Sequence, residues 1–91
     1  MTRIVVKKLM WDEDNTSHIQ KHNVSQIEII EASKNLIFHK HTYSSRYLIV
    51  GRSGSRLLSL VVSRKGSGLY YLVTARDAGK NERKVAYEKE K

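Results

Sequence analysis

His18 and His22 stand four residues apart, a spacing that puts both imidazoles on one face of a helix, one turn from each other. Two histidines at this spacing can hold a transition metal. No carboxylate completes the zinc-protease pattern, however, and only His39 and His41 remain as further imidazoles. The expectation is therefore no metal and no cofactor. An imidazole can also carry a proton near neutral pH, which makes either histidine a candidate general base. The plain alternative is a pair of polar residues at a helix–sheet boundary.

A second group lies near the C-terminus. Arg76 closes an apolar run, and Lys80, Arg83, Lys84 and Tyr87 follow at spacings that form one helical stripe;. Such a stripe can hold phosphates, with Tyr87 stacking on a base or giving up a proton. A solvated helix laced with ion pairs would look similar, because Glu82, Glu88 and Glu90 are interspersed;. Arg46, Arg52, Arg56 and Arg64 flank the two middle apolar runs, where charge also serves to protect strand ends;. Trp11, the single tryptophan, suits core or helix-cap packing better than base stacking.

Other chemistries find no support. Gly51 to Gly54 and Gly66 to Gly68 lack the Lys-Ser/Thr ending of a phosphate loop;. There is no nucleophile elbow, no evident pair of glycosidase carboxylates, and no cysteine for a disulfide or thiolate site;. Seventeen Lys and Arg against nine Asp and Glu leave a net charge of +8, which favours a polyanionic partner;. An enzyme built from arginine, lysine, histidine and tyrosine suits metal-independent RNA cleavage. There the 2′-hydroxyl attacks the adjacent phosphate, cations stabilise the charge on phosphorus, and an acid protonates the departing 5′-oxygen.

The elements that must position these residues follow from periodicity. Ile4 to Met10 reads as a first strand, and Asp12 as the N-cap of a helix carrying Asn15, His18, Ile19 and His22 on one face;. Asn23 suits the left-handed position that ends it. Ser25 and Glu28 have capping-box spacing, and Val24 with Ile29 that of a hydrophobic staple;. This second helix should draw its apolar surface from Ile27, Ile30 and the Ile29–Ala32 pair and fade near Lys34 or Asn35. Leu36 to His41 is ambiguous, a short extended piece leading into a sheet. Arg46–Val50, Leu57–Val62 and Leu69–Ala75 read as strands joined by glycine-rich connectors, an antiparallel meander;. Asp77 is the expected cap of a last helix ending near Lys89.

The order is β-α-α-β-β-β-α in a single domain, residues 1–91. The fold expected is α+β, with helices on one face of an antiparallel sheet of about four strands and the other face partly open. Ser59, Ser63, Thr74 and Arg76, polar positions within apolar strands, should mark that open face. No apolar run reaches membrane-spanning length and the opening residues are too short for a signal peptide, so the expectation is a cytoplasmic protein without a membrane partner;.

Trp11-Asp12, Asn15, His18-Ile19, His22 and Val24 together resemble the opening signature of BrnT-family toxins. Arg46-Tyr47-Leu48 with Gly51, then Arg56-Leu57-Leu58 and Val61-Val62, continue the likeness. The most distinctive piece is Val73-Thr74-Ala75-Arg76-Asp77-Ala78, followed by Glu82-Arg83 and Tyr87. The resemblance runs in order from about residue 9 to residue 88. It implies a RelE-like fold and an endoribonuclease toxin, checked by an antitoxin with a ribbon-helix-helix part. DNA would then be met only through the repressing complex. By position the family's site residues fall on His18, His22, Arg46, Arg56, Arg76, Arg83 and Tyr87. Adding the lysines of the stripe gives Arg76, Arg83, His18, His22 and Tyr87 as candidate catalytic residues, with Arg46, Arg56, Lys80 and Lys84 as candidate RNA contacts. Departures are Asn23 for a common glycine, Tyr71 for a frequent arginine, and Ala86 at a position often aromatic. The rival expectation is a non-catalytic basic module that holds an acidic protein or nucleic acid.

Overall fold

The computed structural model describes residues 4–90. The order is β1 (Lys8–Met10), α1 (Glu13–Lys21), α2 (Gln26–Lys34), β2 (Leu36–His41), β3 (Arg46–Ser53), β4 (Arg56–Gly66), β5 (Leu69–Asp77) and α3 (Lys80–Lys89). The α+β class holds. The sheet has five strands rather than about four, in the order β1-β5-β4-β3-β2. It is also mixed rather than antiparallel, because β1 runs parallel to β5, while β3, β4 and β5 form the expected meander and β2 pairs antiparallel with β3. The extra strand is the ambiguous segment Leu36–His41, which lies along the edge of β3. The first strand is shorter than Ile4–Met10: Ile4 is buried against the core but takes no part in the ladder.

Both early helices start as their sequences direct. The Asp12 carboxylate accepts from the Asn15 backbone N–H at 2.9 Å, and the Asn15 side chain accepts from Asp12 N–H at 2.9 Å. Ser25 and Glu28 make the same reciprocal pair at 3.0 and 3.2 Å;. Asn23 takes φ 56° between the helices. Val24 and Ile29 join one core cluster, as a staple requires. The buried surface of α2 is nevertheless Ile29, Ala32 and Ser33, whereas Ile27 is 73% and Ile30 37% exposed. The Ile29–Ala32 pair is buried as expected, but Ile27 lies on the opposite side of the helix from Ile29, Ala32 and Ser33, and Ile30 lies at the flank of that face;.

The main core lies between α1 and α2 and one face of the sheet: Ile19, Ile29 and Ala32 meet Ile49, Leu58, Leu60, Val62, Leu72 and Ala75, with Trp11 packed against them. Asn15, 2% exposed, fixes this layer, its Nδ2 donating to the carbonyls of Met10 at 2.9 Å and Leu72 at 3.0 Å. Gly51 lies within β3, not in a connector, and the reason is steric. A Cβ there would sit 1.9 Å from the Ala32 carbonyl oxygen, so the helix can approach the strand only over a glycine.

Side chains in register on neighbouring strands point the same way. On the second face Phe38, Val50, Ser59 and Arg76 form one row. Lys40, Leu48, Val61 and Thr74 form the next, then Arg46, Ser63 and Tyr71. The helices are thus not confined to one face: α3 covers the first row, its Ala86 packing with Val50, Leu57, Ala78, Ile37 and Phe38 in a second cluster. The remaining rows are the partly open half. Asp77 does not cap α3; Gly79 does, its N–H donating to the Glu82 carboxylate at 2.7 Å.

These contacts set an expectation for Gly51→Ala. It should lower stability by about 3 kcal/mol, the upper end of overpacking costs, because the clash is with backbone. Gly54→Ala, at φ +60° in open space, should lose only about 1–2 kcal/mol from conformational strain. Urea unfolding of both variants makes the comparison, and equal losses would show that α2 has room to move off β3.

Candidate nucleic-acid interface

The turn into α3 and the first two turns of the helix bring the predicted stripe together. Lys80, Arg83, Lys84 and Tyr87, with Ala78 and Asn81, line one open groove of about 630 Å³. All four stripe residues are exposed. Arg83 is partly anchored, its Nε donating to the Ala78 carbonyl at 3.0 Å. Its terminal nitrogens make no hydrogen bond among the described residues. Tyr87 is 52% exposed, with Arg52 6.0 Å from its ring centre. Arg52 is in turn held by a fork to Glu90 at 2.6 and 2.9 Å.

Arg76 stands beside this groove but is not a bare cation. Its two terminal nitrogens donate to the two oxygens of Glu82 at 3.0 and 3.1 Å, and one also donates to the Asp77 carbonyl. Glu82 is the better buried partner, with its side chain 17% exposed against 46% for Arg76. It also accepts from Ser59 Oγ at 2.6 Å. Burial pushes the Glu82 carboxyl up, but the donors Ser59, Gly79 and Arg76 together outweigh it and hold the group below the usual carboxylate range;. In the sequence Glu82 had stood as an interspersed acid and as part of the Glu82-Arg83 match, with no role of its own. Its spacing of three from Gly79 is the capping signal that could have found it.

The other expected residues go elsewhere. Arg56 is tied into the fold: it forks to Asp77 at 2.7 and 3.2 Å and reaches Glu28 at 2.9 Å and the Asn23 carbonyl at 3.1 Å. The bond to Asp77, then that to Glu28, raises its pKa further above the ordinary value. Arg46 lies on the α3 face of the sheet but in the third row, bonded to Tyr43 Oη at 2.8 Å and stacked over that ring. His18 and His22 are exposed on α1, which packs against the opposite face from α3, their ring centres 5.5 Å apart. The arrangement does not bring them into the α3 groove. Among the described residues no three His, Asp or Glu side chains converge as a metal would require. Tyr71, noted in the sequence only as a missing arginine, donates to Asp12 at 2.9 and 3.1 Å and so ties β5 to the cap of α1.

The arrangement can therefore bind phosphates along α3 and hold one fixed guanidinium at the margin. The Arg56 network gives a separable expectation. The Asp77 carboxyl is lowered chiefly by Arg56, and that of Glu28 by the Ser25 backbone bond and then by Arg56. Groups lowered in the folded chain stabilise it above their unfolded values, and that stability is lost as pH falls through the folded ones. Denaturant stability should hold from neutral pH to about pH 5 and decline below about pH 4. Arg56→Ala should cost about 1–2 kcal/mol and flatten that decline, while leaving RNA affinity nearly unchanged. A large loss of RNA affinity in a folded Arg56→Ala protein would return this residue to the interface. A scan against protein-family models and a search of curated proteins find no match to this chain, so its functional reading rests on its own residues.

Proposed function

We propose that this chain is an endoribonuclease toxin of the BrnT kind, with a RelE-like fold, acting on RNA in the cytoplasm without a metal and held in check by an acidic, DNA-binding antitoxin. The observation that carries the reading is the α3 groove, where four residues expected from the sequence, Lys80, Arg83, Lys84 and Tyr87, line one surface. The ordered resemblance from Trp11 to Tyr87 supports the toxin assignment, and the α+β element order agrees with it. No helix of the described residues is long and apolar enough to cross a membrane.

In this reading Lys80 and Lys84 hold the backbone of the RNA, a term shared among many charges and weakened by salt. Arg83 meets the phosphate to be cut. Arg76, kept in one plane by its fork to Glu82, stands at the margin as a rigid donor whose charge Glu82 largely offsets. Arg83 therefore supplies the positive charge where the phosphorane forms, and fixed charge aimed at a transition state is worth most to the rate. Tyr87 stacks on a base or protonates the leaving oxygen. His18 and His22 take no direct part, since they project from the helix on the opposite face. That same separation favours a second reading, a basic module that binds RNA or an acidic protein without cutting.

One pair of variants tests both. Lys84→Ala should weaken RNA binding by a few-fold and reduce the salt dependence by about one phosphate contact. Arg83→Ala should lower cleavage by roughly a hundredfold with a much smaller loss of affinity. Binding is read by fluorescence anisotropy at several salt concentrations, and cleavage on labelled RNA with and without ribosomes. Wild-type protein that binds RNA through α3 but cuts none under any of these conditions establishes the binding module. Binding unaffected by either substitution rejects α3 as the interface.

A further inference from the structure

β2 is the longer of the two edge strands of the sheet, six residues against three in β1. Among the described residues it pairs with β3 alone. Alternate N–H and C=O groups along such a strand point outward with no partner in the ladder. Natural sheets blunt an edge of this kind with proline, a very short strand, a bulge or a charged side chain. β2 has a bulge between Leu36 and Phe38 and carries Lys40, but no proline, and it is not short.

A groove of about 530 Å³ runs beside β2. Leu36, Ile37, Phe38 and His39, four consecutive residues of the strand, all line it. A bulge between Leu36 and Phe38 interrupts the alternation of faces: Leu36 packs against the main core, and both Ile37 and Phe38 against the α3 cluster, so a groove touching all of them reaches both layers at the edge of the sheet. Its far wall holds Val5, 55% exposed, with Val6, Ser33 and Lys34. The lining mixes apolar side chains with Ser33, Lys34, His39 and exposed polar backbone, and it holds no carboxylate. Lys40 and His41 extend the basic character along the strand, both exposed.

We propose that β2 is a docking edge for an extended acidic segment of a partner protein, which adds a sixth strand to the sheet. Backbone bonds to the open edge supply the pairing, as in other strand-addition complexes. The apolar part of the lining takes the partner's inward side chains, and the partner's carboxylates meet Lys34, His39, Lys40 and His41. A second copy of this chain fits less well, since it would bring another net +8 to the same edge;. The proposal extends the acidic partner of the toxin reading but does not depend on RNA cleavage, and it involves residues on the opposite edge of the sheet from β1.

The test uses the full chain and three capped peptides: one alternating glutamate and valine, the same peptide with alternate backbone amides N-methylated, and a lysine–valine counterpart. The glutamate peptide should bind and slow hydrogen exchange at outward-facing amides of β2. N-methylation should weaken binding at least tenfold, about the loss of one to two net hydrogen bonds, and the lysine peptide should not bind. Lys34→Glu with Lys40→Glu should also weaken binding about tenfold or more. Equal binding of the N-methylated peptide would overturn strand addition in favour of charge alone. Protection absent from β2, or self-association through β2 seen by sedimentation, would overturn the proposed occupant. RNA cleavage, measured separately, is untouched by either outcome.

Discussion

The α3 face depends on the carboxylate of Glu82. It lies under the helix start, where it accepts from the Gly79 N–H, from Ser59 of β4 and from both terminal nitrogens of Arg76 on β5. One side chain thus satisfies an orphan donor at the helix N-terminus and a buried hydroxyl, and it neutralises the guanidinium beside them. A buried carboxylate is costly unless paired and hydrogen-bonded, and here every lining group is a donor. With the helix start fixed on β4 and β5, Ala86 is delivered against Val50 and Leu57, and the second core closes. The direction in which Lys80, Arg83 and Lys84 project is therefore set by a residue that faces inward.

The same economy divides the cations. Arg52, Arg56 and Arg76 each have a carboxylate partner: Glu90, Asp77 with Glu28, and Glu82. Planar guanidinium groups suit such forks, because one side chain can bond two or three acceptors in fixed directions. Arg83 donates instead to a backbone carbonyl, and Lys80 and Lys84 stand exposed in the groove. Structural positive charge is thus compensated where elements join, and the excess lies on α3 and on other exposed lysines. A net charge of +8 states only the sum; the pairing decides where a polyanion would feel it.

Much of this was legible from local signals. Asp12, Ser25 and Glu28 announced the two helix starts, because capping needs only residues three apart. The meander could be read from apolar runs and glycines. What failed was whatever depends on a distant partner. Leu36 to His41 could be read as a short extended piece, but its place as the fifth strand, along β3, could not. Asp77 has the right chemistry for a cap, yet Arg56, 21 positions earlier, claims it. Arg56 looked like an RNA contact because an arginine at a strand end is equally suited to solvent and to a buried network. The α3 stripe was readable, since its four side chains come from one helix; the separation of His18 and His22 from it was not, because opposite faces of a sheet leave no mark on sequence spacing.

Geometry also explains why half of the second face stays open. A helix with its side chains is about 10–12 Å across, whereas the nine residues of β5 run roughly 30 Å along the strand direction at about 3.3 Å per residue;. α1 and α2 together can roof one face, but α3 alone cannot roof the other. It covers the row containing Ser59 and Arg76 and leaves Leu48, Val61, Thr74, Arg46 and Tyr71 partly exposed beside it.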